Sequence, residues 1–196
     1  MKFKAVIFDL DGTITKPTLD FDAIKHEIGM KDMSMPLLEA MDKMSEFERI
    51  RAEEIILRHE SLAANNSTLN DNAAETLGAI SARGLKIGIL TRNIAKHAEI
   101  VAQKHNLKFD LIVDRFTGPV KPDPFGVLHI CRHFGIIPAQ AVVVGDYLFD
   151  ILSAKSAGSV AILLKNNEDS DEFAKHADYT IDNLSLLLPI IDKNGD

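Results

Sequence analysis

The stretch Ala5-Val6-Ile7-Phe8-Asp9-Leu10-Asp11-Gly12-Thr13 (AVIFDLDGT) decides the fold. Its apolar half reads as a strand buried on both faces, the kind found inside parallel sheets. The strand then stops at two carboxylates. In an extended chain Asp9 and Asp11 point to one side and Leu10 to the other. Two like charges this close repel, and one of them would hold its proton more tightly. A divalent cation is the simplest compensation. The rest of the chain must show what else reaches the end of this strand.

Further segments resemble the first strand: Leu85–Leu90 (LKIGIL), Asp110–Val113 (DLIV), Ala141–Val144 (AVVV), Ser159–Leu164 (SVAILL) and Tyr179–Ile181. Helical patterns alternate with them over 71–83, 94–105, 125–134, 149–157 and 170–176. Strands alternating with helices of this length imply an α/β fold, a Rossmann-like parallel sheet with helices on both faces. Asp123-Pro124 reads as a helix start, with the aspartate as N-cap and proline at the first helical position, and Gly135 as its stop.

Residues 15–68 break the alternation. They read as helical throughout (FDAIKHEI, PLLEAMDKM, FERIRAEEIILRHESLAA) and hold no convincing strand. We expect a small all-helical cap inserted over the first strand's end, leaving residues 1–14 and 69–196 for the α/β core. The methionines at 30, 33, 35, 41 and 44 read as fillers of irregular contacts between short helices. Asn65-Asn66-Ser67 reads as a hinge or turn back to the core.

Composition narrows the function. A chain of 196 residues supports one sizeable core plus a small insertion. A formal net charge of -7 argues against a nucleic-acid partner, which needs a basic face. The single cysteine, Cys131, rules out an intrachain disulfide and fits a reducing compartment. Lys2 and Lys4 precede an apolar run far too short for a signal peptide, and no stretch reaches membrane-spanning length. A cytoplasmic protein with no membrane partner is expected.

In an open parallel sheet, ligands bind at the carboxyl ends of the strands. After the first strand come Asp9, Asp11, Gly12 and Thr13; after LKIGIL come Thr91, Arg92 and Asn93. The third is followed by a proline-framed loop, GPVKPDP, presenting Lys121, and AVVV by Gly145, Asp146 and then Asp150. Each feature alone has a plain structural reading: Asp-Gly turns are common, Thr91 caps a helix, Lys121 is a solvated loop residue, and Asp146 and Asp150 favour a helix N-terminus. Together they supply carboxylates for a cation, a hydroxyl, and an ammonium for an anion. That combination suits a phosphoryl group with magnesium.

The chain resembles the haloacid dehalogenase-like hydrolase superfamily, in its phosphoglycolate phosphatase-like branch. The resemblance rests on DLDGT (Asp9–Thr13), Thr91, Lys121 in VKPDP and GDYLFD (Gly145–Asp150), in that order. The ending ADYTIDNLSLLLPII is similar to the family's last strand and helix. The family implies the inserted cap and an aspartyl-phosphate mechanism. In it Asp9 is the nucleophile and Asp11 the general acid and base. Magnesium is held by Asp9, the Asp11 backbone carbonyl and Asp146, with Asp150 supporting that shell. Thr91 and Lys121 hold the phosphoryl oxygens, and Lys121 offsets the carboxylate repulsion. Arg92, where the family often has Asn or Ser, is either a further contact to an anionic substrate or a solvated helix-start residue. Tyr147 stands where Ser or Thr is common.

These features lead to a magnesium-dependent phosphatase acting on a small-molecule phosphomonoester. Two alternatives stay open: a phosphomutase acting on a sugar phosphate, and a non-catalytic phospho-aspartate switch. Receiver domains also combine acids, Thr and Lys, but their phosphorylated aspartate follows a middle strand rather than the first. His129 and His133 have metal-ligand spacing but no evident third ligand, so a partly buried helix face is the better reading. The remaining histidines are scattered and command no role.

Overall fold

Strand β1 (Ala5–Phe8) is buried on both faces, and Ile7 and Phe8 have no exposed surface. Burying one side chain of this size contributes about 1.5–3 kcal/mol relative to exposure, which draws β1 to the middle of the sheet. The structure, a computed structural model, describes residues 3–193. The other strands are β2 (Lys86–Leu90), β3 (Leu111–Val113), β4 (Ala141–Gly145), β5 (Val160–Leu164) and β6 (Tyr179–Ile181). All pair in parallel, in the order β3-β2-β1-β4-β5-β6. Every expected strand forms, each end within one residue of its expected limit. The chain steps from β1 out to β3, then returns to lay β4 on β1's other side. The order therefore reverses between β1 and β4, where a crevice opens beyond the strand ends. Phe8 lies opposite Val144 in that pair, so Asp9 leaves the sheet beside Gly145, the last residue of β4.

The helices are α1 (Phe21–Ile28), α2 (Leu37–Met41), α3 (Glu46–Asn66), α4 (Ala73–Ala82), α5 (Ala95–His105), α6 (Phe125–His133), α7 (Leu148–Ala157), α8 (Ser170–Phe173) and α9 (Leu187–Lys193). Ile7, Val143 and Leu163 share a core cluster with Val127 and Ile130 of α6 and Ile151 of α7. Helix α6 starts one residue later than the sequence implies, with Pro124 rather than Asp123 at the N-cap; Asp123 Oδ1 still accepts a hydrogen bond from the Phe125 amide at 2.8 Å, and Gly135 turns the chain beyond the helix with φ of 64°. No helix among the described residues is long and apolar enough to cross a membrane.

The chain divides into two compact units, one formed by residues 18–66 and the other by the segments on either side. The smaller holds α1 to α3 around Ile24, Leu37, Met41, Ala52, Ile55 and Ile56, with Met30 and Met44 packed against them. Methionine here fills gaps between short helices. Asp20 caps α1 by accepting from the Ala23 amide at 2.9 Å, and Gly29 ends it in the left-handed region. One turn reading fails. Asn65 and Asn66 belong to α3, and Asn65 Nδ2 donates to the Ser61 carbonyl one turn back at 2.8 Å. The helix runs through Asn66, and Ser67 lies just beyond it.

Candidate active site

The strands all run one way, so the residues that follow them leave one edge of the sheet. The Asp9 amide donates to the Val144 carbonyl at 2.9 Å and ties the first loop to β4. Gly12 has φ of 90°, and a Cβ there would stand 2.3 Å from Asp146 Oδ2. Only glycine lets the loop pass the carboxylate in this conformation. Thr13 Oγ1 then donates to Asp146 Oδ1 at 2.9 Å. A Cβ on Gly145 would meet the Asp150 side chain at 2.2 Å, so that glycine is also demanded by close approach.

Lys121 Nζ donates to Asp9 Oδ1 at 2.5 Å and to Asp150 Oδ1 at 2.6 Å, with only 4% of its side chain exposed. A lone buried ammonium would be strongly unfavourable. Burial alone would lower its pKa, but the charges of Asp150 and Asp9 reverse that, and Lys121 stays protonated. The second oxygen of Asp150 accepts from the Tyr147 amide at 3.1 Å, which locks the turn after β4.

One oxygen each of Asp9, Asp146 and Asp150 lie within 4.8 Å of one another. Burial pushes Asp146 up to about 7, helped by the charge of Asp150. Asp9 is raised well above the ordinary carboxylate range, first by burial and further by Asp150 and Asp146, while Lys121 offsets only part. Three carboxylates thus face one ammonium, and two of them hold protons unusually tightly. That donor set is hard, anionic and under-compensated, which fits a magnesium-like cation. Among the described residues it is the one cluster of this kind; His129 and His133 belong to none. His129 instead lies 5.6 Å from the Phe125 ring, and burial raises the Cys131 thiol to about 11.

Asp11 sits beside this cluster, and its Oδ2 accepts from Asn93 Nδ2 at 3.0 Å. Thr91 is buried at the end of β2, where its Oγ1 accepts from the Asn93 amide at 3.0 Å. Asn93 therefore joins Thr91 to Asp11. Arg92 is half-buried rather than simply solvated. It donates to the Lys121 carbonyl and lies 4.9 Å over the Phe149 ring, so it steadies the loop that carries Lys121.

These features meet independent findings. The model of haloacid dehalogenase-like hydrolases matches residues 31–158. The chain belongs to the haloacid dehalogenase-like hydrolase family. It is 30% identical over 197 residues to an uncharacterized hydrolase of Saccharomyces cerevisiae, covering 96% of this chain and 90% of that one. It is 28% identical over 218 residues to a phosphoglycolate phosphatase of Chromobacterium violaceum, covering 98% and 97%. A β-phosphoglucomutase from Clostridium difficile shares the fold, with a TM-score of 0.76 at 23% identity over 94% of this chain and 93% of that one. Haloacid dehalogenase-like hydrolases generally work with a divalent metal, and the Asp9, Asp146 and Asp150 cluster offers a place for one.

Residues outside the expected set also build this region. Asn167 Nδ2 donates to the Asp146 carbonyl at 2.6 Å, and Asn166 Nδ2 donates to the Gly12 carbonyl. Both follow β5, so the rule applied to the other strand ends would have found them. Asn70 Nδ2 reaches the carbonyls of Gly12 and Thr13, each at 2.8 Å. Asparagine suits these places because its amide satisfies loop carbonyls without adding charge. Nothing local in the sequence distinguishes Asn70 from a turn residue.

Proposed function

We propose that this chain is a magnesium-dependent phosphatase that hydrolyses a small-molecule phosphomonoester through an aspartyl-phosphate intermediate. The observation that carries the reading is the Lys121 ammonium held between Asp9 and Asp150, with Asp146 alongside, at the crevice between β1 and β4. Asp9 is the nucleophile. A carboxylate attacks without first losing a proton at neutral pH, provided a cation lowers its raised pKa. The bond between phosphorus and the leaving oxygen breaks as the Asp9 oxygen bonds to phosphorus. Asp11 gives a proton to that leaving oxygen. It later takes one from the water that frees Asp9, releasing inorganic phosphate.

Magnesium would be held by Asp9, the Asp11 backbone carbonyl and Asp146, with Asp150 supporting; it would neutralise and orient the phosphoryl oxygens. Thr91 and Lys121 bind those oxygens, and Arg92 positions Lys121 through its carbonyl. The phosphoglycolate phosphatase relative favours a small phosphorylated substrate. The helical unit of residues 18–66 serves as the segment that selects it.

A phosphate-release screen over many small phosphomonoesters, with and without magnesium, tests the reading. Magnesium-dependent release from at least one is expected. Transfer between positions of a sugar phosphate without release would make the chain a mutase. No release and no transfer across the panel would refute catalysis.

A further inference from the structure

We infer that Asn93 and His97 are positioning residues that hold the Asp11 carboxyl group in one orientation for proton transfer. The inference rests on the acid–base role of Asp11 proposed above. Asn93 is 4% exposed and His97 4% exposed, and both stand where β2 gives way to α5. Asn93 Oδ1 accepts from the Ile94 amide at 2.7 Å, and His97 Nδ1 lies 2.8 Å from the same oxygen. The Ile94 amide can only donate, so the oxygen of the Asn93 amide must face it. The nitrogen then faces Asp11, and Nδ2 donates to Asp11 Oδ2 at 3.0 Å. His97 in turn must carry its proton on Nδ1 to pair with that oxygen. All three contacts are directional, and each fixes the next.

The consequence concerns how the Asp11 carboxyl group is turned for proton transfer. An oxygen that accepts an N–H bond is the carbonyl-like oxygen of a carboxylic acid, because a protonated hydroxyl oxygen is the poorer acceptor. Asp11 Oδ2 is therefore kept as an acceptor, and this fixes how the carboxyl group presents its proton. In the first step that proton moves from Asp11 to the leaving oxygen as its bond to phosphorus breaks. In the second, a water proton returns to Asp11 as the hydroxide bonds to phosphorus and Asp9 is released. Without Asn93 the carboxyl group loses the bond that sets Oδ2, and the proton is misplaced for both steps. The spacing of Asn93 and His97, four residues apart at a helix start, is the geometry that brings their side chains together.

Kinetics on a pair of aryl phosphates tests this. 4-Nitrophenyl phosphate has a good leaving group and needs little protonation; phenyl phosphate needs more. For Asn93→Ala with magnesium, kcat on phenyl phosphate should fall about 10- to 100-fold, the scale of a misplaced catalytic group, with KM within about two-fold. Phosphoenzyme formation from 4-nitrophenyl phosphate should fall far less. His97→Leu should show the same pattern more weakly. His97→Asn, which restores a donor near Nδ1, should recover part of the loss.

A double-mutant cycle keeps the test independent of any general loosening of the fold. If Asn93 acts through Asp11, adding Asn93→Ala to Asp11→Asn should change kcat less than two-fold. Equal losses on both substrates, or losses that multiply in the double variant, would overturn the inference alone. If Asp11→Asn itself shows no dependence on the leaving group, the acid–base role of Asp11 falls, and this inference with it.

Discussion

Asp146→Asn should make the metal-free protein more stable, not less, at pH 8. The carboxyl group of Asp146 is pushed up to about 7, first by burial and then by the charge of Asp150. In the unfolded chain it returns to about 3.9. Below about pH 4 it is protonated in both states and affects folding equally in each. Between about pH 4 and pH 7 the unfolded chain releases its proton while the fold keeps it. The folded state then binds more protons, so stability falls as pH rises through this window. Above pH 7 the full cost is present. A difference of about three pKa units corresponds to on the order of 4 kcal/mol, an upper figure because water entry and relaxation reduce it. Asparagine has the same shape, keeps an acceptor for Thr13 and carries no charge. At roughly 2–4 °C per kcal/mol for a chain of this size, the midpoint should rise by several degrees.

Thermal unfolding with a chelator at pH 5 and pH 8 reads this directly. The gain should be full at pH 8 and about a third as large at pH 5, where the cost of holding the proton has only begun to build as the unfolded chain releases its own. Adding magnesium should raise the midpoint of the parent at pH 8 and leave Asp146→Asn nearly unchanged. A variant no more stable than the parent in chelator at pH 8 would refute the electrostatic account of this site.

Other outcomes follow from the same geometry. Chelation should abolish phosphate release and magnesium should restore it, whereas calcium should not, because its larger and looser shell misplaces the nucleophile; turnover that survives thorough chelation would contradict the metal reading. Asp11→Asn should accumulate a phosphoryl label on Asp9, seen by intact mass and peptide mapping, while Asp9→Asn should show none; label on any other residue would reverse the assigned roles. Gly12→Ala should destabilise the fold by about 1–3 kcal/mol and lower activity, since its φ of 90° and the 2.3 Å approach to Asp146 leave no room; wild-type stability in denaturant would show that the loop simply shifts. Replacing residues 18–66 by a short linker should change the ranking of substrates while sparing some activity on 4-nitrophenyl phosphate; an unchanged ranking would remove the specificity role of the helical unit.

Much of this protein could be read without coordinates, and the reason is local. A strand buried on both faces needs an unbroken apolar run, so AVIF, IGIL and AVVV declare themselves, and polar residues at once beyond them mark the edge where chemistry gathers. Glycine beside aspartate in DLDGT and GDYLFD likewise announces a close approach, though not of what to what. Asn65 and Asn66 misled because asparagine favours turns only when the backbone there is free to turn. In α3 the helix continues, and Asn65 bonds back to Ser61 instead.

What tertiary structure alone decided is which charges meet. Lys121 pairs with Asp9 from 112 positions away, and Asn166 reaches the Gly12 carbonyl from 154. Those encounters follow from β4 lying beside β1, a strand order that no local pattern records. The protonation behaviour of Asp9 and Asp146 is equally invisible in the chain, because burial and neighbouring carboxylates cause it. The link from Asp11 through Asn93 to His97 depends on where β2 releases the chain relative to β1. Residue types set what each group can do; desolvation and distance, which exist only in the fold, set what it does.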